Sequence, residues 1–488
     1  MKILNCLWVA GYIGTTFAIT TNHLIKEMGL GWNLGNTLES YGTWINGVTT
    51  KDYETAWGNP VTTEVMIKTI KSYGFKSVRI PVSWSNLMSS DYIISPQLLK
   101  RVEEVVNYVI NNDMYAIMNI HYDGGWFDNF ATSEKEAFNK YEKIWQQLTE
   151  YFVEYDEHLI FESLNEEGCW DSIWNRYSNS GNKTKAYNLL NTINQDFVNI
   201  VRDSGGNNTK RHLLLAGYCT DIDLTVDSAY IVPKDDRVMV SVHYYTPSTF
   251  TLLEKEESWG KPIFSWGTTS DVENLKNDFN KLKTRFVNNG IPVIIGEYGV
   301  TAENKDKNSI HKYLSTVVQY AKELGICPIV WDHGQYFNRS TLTFKDSEIG
   351  TMYKNLSSNI NSNITNDSND NKSEIITTNN TTTTTTKSEA TNSNDTPVTS
   401  NNNNNNNTPV YCQGCTVTGT GGDQSLWGWE NNTACRINES ICGTTNNVSN
   451  NNCVDLWYQC GGINYNGSTK CCTGKCQYIN DWYSMCQM

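Results

Sequence analysis

From about residue 30 to residue 333, apolar and polar positions sort into two alternating kinds of segment. Eight short runs are apolar almost throughout: residues 30–36, 77–84, 115–123, 158–166, 212–218, 238–246, 291–298 and 327–333. Runs of this length without strict alternation predict parallel strands covered on both faces. Between several of them the apolar positions recur at helical spacing. Ser95 and Pro96 supply an N-cap and a first-turn proline for a helix striped by Leu99, Val102, Val105, Val106 and Val109. Ser133 and Glu136 have the spacing of a capping box, ahead of Phe138, Tyr141, Trp145, Leu148 and Phe152. Residues 62–72 predict another helix, with Gly74 placed to end it, and residues 269–288 a fourth. Eight strands with intervening helices predict an α/β fold, a (β/α)8 TIM barrel.

In such a barrel the chemistry gathers at the C-terminal ends of the strands. Polar residues collect at those ends here: Asn36, Arg79, His121, Asn165, Glu166, His243, Tyr245 and Glu297, with Trp331 after the last strand. Taken singly, each has an ordinary reading. A glutamate after a strand is usually a solvated loop residue, an arginine a barrel ion pair, a histidine or tryptophan part of the packing. Their joint placement on separate strand ends points to glycosidic bond cleavage, which needs one carboxyl to protonate the leaving oxygen and a second carboxylate nearby. Glu166 and Glu297 are the candidate pair. The two must hold different protonation states, so their surroundings must separate their pKa values. Arg79 is expected to reach Glu297 and keep it ionised, and Tyr245 to donate to it. Asn165 is positioned for a sugar 2-hydroxyl, His121 and His243 for the hydrogen-bond network, and Trp331 for a stacking floor under the sugar.

The totals narrow the partners. The chain has 488 residues and a formal net charge of −14, with a pI of about 5.0. The length suits a catalytic domain with appendages, and the acidity excludes nucleic acid as a partner. Aromatic residues make up 12%, including 16 Trp and 27 Tyr, the side chains that stack on sugar faces. Lys2, the apolar run after it and small residues up to Ala18 predict a signal peptide over 1–18, hence secretion. No other stretch is long and apolar enough to predict a membrane span. Residues 22–356 form the expected catalytic barrel. Residues 357–410 are rich in Asn, Ser and Thr and predict a flexible linker with glycosylation sequons. Of 14 cysteines, ten lie between Cys412 and Cys486. They define two small modules, 411–442 and 453–488, read as disulfide-stapled rather than zinc-binding, with the pairing left open. Cys169, Cys219 and Cys327 are read as buried thiols or at most one bridge. No metal or cofactor is expected.

The motifs also carry a family likeness. Gly31-Trp32-Asn33-Leu34-Gly35-Asn36-Thr37-Leu38, Val78-Arg79-Ile80-Pro81, Asn119-Ile120-His121, Leu164-Asn165-Glu166, His243-Tyr244-Tyr245 and Ile295-Gly296-Glu297-Tyr298-Gly299 together resemble glycoside hydrolase family 5, most closely its endo-β-1,4-glucanase branch. The resemblance implies a retaining double displacement, with Glu166 as acid/base and Glu297 as nucleophile. It implies substrate-binding roles for Asn36, Arg79, His121, Asn165, His243, Tyr245 and Trp331. Two departures stand out: Glu167 where relatives often carry Pro, and Tyr122 where they frequently carry a second His. Residues 453–488 resemble the family 1 fungal-type cellulose-binding module, which implies that Trp457, Asn480, Trp482 and Tyr483 meet cellulose; Met485 replaces a frequent Gln. Residues 411–442, around Trp427 and Trp429, resemble the family 10 cellulose-binding module and the dockerins of anaerobic fungi, implying cellulose or a scaffold protein as partner.

The leading expectation is a secreted endo-β-1,4-glucanase anchored on cellulose. Xyloglucan, lichenan, xylan or mannan are alternative substrates within the same chemistry, decided by loop shape and by Trp57, Trp126 or Trp266. A non-catalytic wall-binding protein and a scaffold-docked subunit are readings from other classes.

Overall fold

A computed structural model describes residues 19–370 and the segments 419–420, 426–430, 433–436, 459–461, 469–472, 474–480 and 483–487. The expected signal peptide, Cys412, Cys415, Trp457 and Trp482 lie outside the described residues.

Eight parallel strands close into a barrel: β1 (Leu30–Asn33), β2 (Phe75–Ile80), β3 (Tyr115–Asn119), β4 (Leu159–Glu162), β5 (Leu213–Ala216), β6 (Val238–Tyr244), β7 (Val293–Tyr298) and β8 (Cys327–Val330). Each pairs with its neighbours in sequence, and β1 pairs with β8. Except for β7, which ends with its run at Tyr298, the strands stop short of the apolar runs at their C-terminal ends. One further ladder bond often continues past the strand, as from the Leu34 amide to Arg79 O and from the Trp331 amide to Tyr298 O. The chain then turns over the barrel mouth.

Helices α1 (Thr21–Met28), α2 (Glu64–Ser72), α3 (Pro96–Ile110), α4 (Glu134–Tyr151), α5 (Lys183–Asp203), α6 (Thr269–Arg285), α7 (Lys307–Glu323) and α8 (Ser347–Asp370) complete the frame. Ser95 caps α3 as expected, through its side chain and the Gln97 amide. Ser133 does sit at the N-cap of α4, but it makes no side-chain cap bond. The expected capping box is absent: the Ser133 amide already donates to Asn129 O at 2.7 Å, and Glu136 accepts instead from the Tyr92 hydroxyl at 2.6 Å. Helix α8 runs past the expected domain boundary at 356.

Inside the barrel the two-residue period of each strand sorts side chains into layers. Ile117, Ile160, Leu214, Met239, Ile294 and Ile329 form an apolar floor, closed from below by Leu24, Ile25 and Met28 of α1. Two residues further along their strands stand Asn119, Glu162 and Ser241, all fully buried. The apolar floor thus gives way to a polar layer one step nearer the mouth. The alternate positions, such as Val78, Met118, Phe161 and Val240, pack outward against the helices.

Strand β7 breaks this period at one place. Val242 faces Ile295, whereas the next residue, His243, faces Glu297, so Gly296 is an extra residue on β7. The shift recurs on the other side, where Pro328 faces Ile295 and Val330 faces Tyr298. A bulge of this kind re-aims the following side chain. Ile294 points into the barrel, Gly296 lies over the Ser241 and His243 side chains, and Glu297 also reaches the interior. A Cβ at Gly296 would lie 2.9 Å from Ser241 Oγ and 3.1 Å from His243 Nε2, so only glycine fits.

The C-terminal part of the chain holds two small antiparallel sheets, one carrying Trp427 and Trp429 on strand Leu426–Glu430. In the other, Cys460 bonds Cys476 and Cys471 bonds Cys486, and Asn480 pairs with Tyr483 across a strand end.

Candidate active site

Arg79, on β2, is the hub of the polar layer. It is fully buried, and its guanidinium makes four side-chain contacts. Nε donates to Glu162 at 2.6 Å, one terminal nitrogen to Glu297 at 2.8 Å and to Asn33 at 3.1 Å, and the other to Asn165 at 2.8 Å. A buried cation needs such compensation, and two carboxylates supply it. The expected contact with Glu297 is present. Glu162 and Asn33 are additions that sequence reasoning missed. Glu162 carried a readable signal, being a charged residue inside the apolar run 158–164, where burial demands a counter-ion. Ser241 donates to the second oxygen of Glu162 at 3.2 Å, and Asn33 donates back to Gly296 O at 2.9 Å, tying the hub to the bulge.

Glu297 also accepts from the Tyr245 hydroxyl at 3.0 Å, as expected. His243 Nδ1 lies 2.7 Å from Glu166 and 3.7 Å from Glu297. One oxygen of each carboxylate and a ring nitrogen of His243 all fall within 4.8 Å of one another. The environments differ sharply: the Glu166 side chain is 51% exposed, that of Glu297 only 7%.

Arg79 pulls Glu297 towards the ionised form, as expected, but it does not outweigh burial. Burial drives the Glu297 carboxyl above its ordinary value, against the pull of His243 and Arg79. For Glu166 burial acts in the same upward direction. It is outweighed by the His243 hydrogen bond and charge and by Arg79, and the group falls below its ordinary value. Glu167, beside it, is pushed up to about 8 by burial, Asp128 and Glu166. Its side chain does not join the pair, and its carbonyl accepts from the Cys219 amide at 2.8 Å.

His121 does not enter this network. Its ring meets Asn119 at 3.5 Å and lies parallel to Trp331 with centroids 5.8 Å apart. Burial, Arg79 and His243 hold it well below the ordinary histidine range, and hence neutral. Trp331 rests against the Gly35 backbone, where an added Cβ would lie 2.9 Å from the indole. Asn165 spends its carbonyl on Arg79, which leaves its NH2 group for a sugar hydroxyl. Asn36, half-buried after β1, has a left-handed φ of 56°.

That turn is held by Glu39, another residue missed from sequence. Its carboxylate accepts from the backbone amides of Asn36 and Thr37, and it is 1% exposed. Arg339 secures the same turn through Thr37 Oγ1 at 2.6 Å and Gly35 O at 2.8 Å. Burial raises Glu39 to about 7, although the backbone bonds and Arg339 oppose it. A carboxyl raised on folding favours the folded state below its unfolded pKa, and that gain is lost as pH rises through the folded value. Relative to Glu39→Gln, wild-type stability is expected to fall by up to about 3 kcal/mol between pH 4.5 and 7. Urea unfolding across that window measures it, and parallel curves for the two proteins would contradict it.

Of the three tryptophans considered for specificity, only Trp57 is exposed, at 38%. Trp266 packs edge-on against Tyr313, and Trp126 stacks on Phe127 while donating to Asp123. Tyr122 is 56% exposed and edge-on to Tyr41. Trp44 and Trp259 are further exposed aromatic rings on loops.

A parallel barrel that brings two glutamates from separate strand ends to one polar cleft has the architecture of a glycoside hydrolase. Comparison with known proteins sharpens this. Residues 38–337 match the family model described as cellulase, glycosyl hydrolase family 5, and residues 456–483 match that of the fungal cellulose binding domain. The chain belongs to glycosyl hydrolase family 5. It is 36% identical over 350 residues to endoglucanase B of Clostridium cellulovorans, an alignment covering 68% of this chain and 74% of that protein. Among solved structures it resembles a GH5-4 broad specificity endoglucanase from an uncultured bovine rumen ciliate. The TM-score is 0.64 at 36% identity, over 70% of this chain and 99% of the other. A family 5 lichenase from Caldicellulosiruptor sp. F32, solved as a mutant with cellotetraose, aligns with TM-score 0.65 and 32% identity, over 73% of this chain and 99% of the other.

Proposed function

We propose that this protein is a retaining endo-β-1,4-glucanase in which Glu297 attacks the anomeric carbon and Glu166 serves as acid and then base. One observation carries the reading: oxygens of the two carboxylates lie within 4.8 Å of each other. Retaining enzymes hold their pair about 5–5.5 Å apart, whereas inverting enzymes need about 6.5–9.5 Å to admit a water between them. In the first step Glu166 protonates the glycosidic oxygen as Glu297 forms a glycosyl ester. In the second, Glu166 takes a proton from water, which hydrolyses the ester with net retention. Arg79 and Tyr245 aim the two oxygens of Glu297 and stabilise its charge. Glu166 is half-exposed to the cleft. A glucan lying across it removes solvent and raises its pKa towards the protonated state an acid needs, while buried Glu297 changes little. Asn165 binds a sugar hydroxyl, Trp331 lies beneath the ring, and His121 lines the cleft beside it.

The endoglucanase names of the relatives support internal cleavage of β-1,4-glucan, and the fungal cellulose-binding module supports action on insoluble cellulose. The module raises the effective concentration of the barrel at that surface. The size of the substrate and the bridged cysteines support secretion. Among the described residues no helix is long and apolar enough to cross a membrane. Residues 411–442 are proposed to add a second glucan contact through Trp427 and Trp429, with scaffold docking as the alternative.

NMR of cellotetraose hydrolysis tests the mechanism. The β-anomer is expected to appear first at the new reducing end; initial α-anomer would establish inversion and reject the pair as assigned.

A further inference from the structure

The two glutamates are supported in different ways. Glu297 sits on a strand and is gripped by Arg79 and Tyr245. Glu166 stands four residues past the end of β4, half-exposed, with the His243 contact on its carboxylate. The backbone that carries it must therefore be held from elsewhere.

The loop after β4 is fastened to the loop after β5 at three points. The Cys219 amide donates to Glu167 O at 2.8 Å. Cys169, three residues beyond Glu166, forms a disulfide with Cys219. Arg176 reaches Asp221 at 3.3 Å. The receiving loop is shaped for this contact: Cys219 and Thr220 both hold left-handed φ values, 51° and 49°. Gly168 has φ +117°, and a Cβ there would meet the Cys219 amide at 3.3 Å. The bridge also borders the cleft. An open recess of about 470 Å³ is lined by both cysteines together with Glu166, His243, Tyr245 and Arg176.

We propose that the Cys169–Cys219 bridge is a positioning element for the acid: it sets the height of Glu166 against the glycosidic oxygen and walls the side of the cleft that receives the leaving sugar. The proposal rests on the reading of Glu166 as acid/base. A displaced acid matters only when the leaving group needs a proton, so two substrates separate this role from a general loss of structure. Cellotetraose has a poor leaving group. A 2,4-dinitrophenyl cellobioside has one that departs unprotonated.

In the double variant Cys169→Ser/Cys219→Ser, kcat/KM for cellotetraose is expected to drop roughly 10- to 100-fold, since a misplacement of about 1 Å has effects of that size. The rate of the first step with the dinitrophenyl substrate, read as the release of dinitrophenolate in the pre-steady state, is expected to change by less than about twofold. Equal losses on both substrates, or no loss on either, would overturn the proposal. If the variant does not fold, the wild-type enzyme treated with a phosphine reductant, with freed thiols counted, is measured in the same two assays against the same criteria. Glu166→Gln run in parallel identifies which idea fails. If it lacks the selective loss, the acid assignment itself is wrong; if it shows that loss and the bridge variant does not, only the bridge proposal falls.

Discussion

Glu297→Gln is expected to lower kcat on a soluble β-glucan by about 10⁴-fold or more, since removing a covalent nucleophile eliminates the pathway rather than slowing it. The substitution keeps the shape and an acceptor for Arg79, while its NH2 group turns the Tyr245 hydroxyl from donor to acceptor. It also removes a charge whose burial is unfavourable, as the upward displacement of the Glu297 carboxyl indicates. Folding is therefore expected to be retained, with near-UV circular dichroism unchanged and cellulose binding intact. A variant with more than about one hundredth of wild-type kcat would reject the nucleophile assignment.

Arg79→Met is expected to be the most damaging single change to stability. Glu162 is fully buried and Glu297 nearly so, and Arg79 is the cation that touches both. Removing one partner of a buried pair leaves an uncompensated charge, a cost of about 3–5 kcal/mol. The same change frees the Asn165 carbonyl, so activity should fall even at temperatures where the protein remains folded. Arg79→Met combined with Glu162→Leu is expected to regain part of the lost stability without regaining activity, because the buried charge is then absent while Glu297 stays unsupported. Urea denaturation of wild type, single and double variants measures this. A double variant less stable than the single would show that the pair is not the source of the loss.

Most of the barrel was legible because all eight strands are buried on both faces, which leaves runs too short for helices and too apolar for loops. The C-terminal limits were not legible, that of β7 at Tyr298 excepted. The same apolar character continues into Leu34, Val82, Ile120 and Leu164, which are fully buried just past the ends of their strands. The reading of Ser133 and Glu136 as a capping box failed because the spacing does not record that the preceding turn already takes the Ser133 amide, at Asn129 O, and that Tyr92 offers Glu136 another donor.

At the site, residues at strand ends were found and residues that support them were not. Arg79, Tyr245 and His243 meet the two glutamates, as their positions suggested. Glu162, Asn33 and Glu39 act one contact further away, on partners 46 or more residues distant for the first two, and only the closed barrel reveals those pairings. His121 illustrates the reverse limit. Its strand-end position promised a place in the network, yet its ring turns to Asn119 and Trp331.

The extra residue at Gly296 has a consequence for anyone redesigning this enzyme. Deleting it would restore a regular zigzag to the seventh strand, a change that idealised-backbone rules favour. It would also draw the acidic side chain at the next position one residue down the strand, into the place beside Ser241 and His243 where a Cβ has no room, and away from the mouth. A tidier but inert barrel is the expected product: here the reactive group owes its height in the channel to an irregularity that structural regularisation would erase.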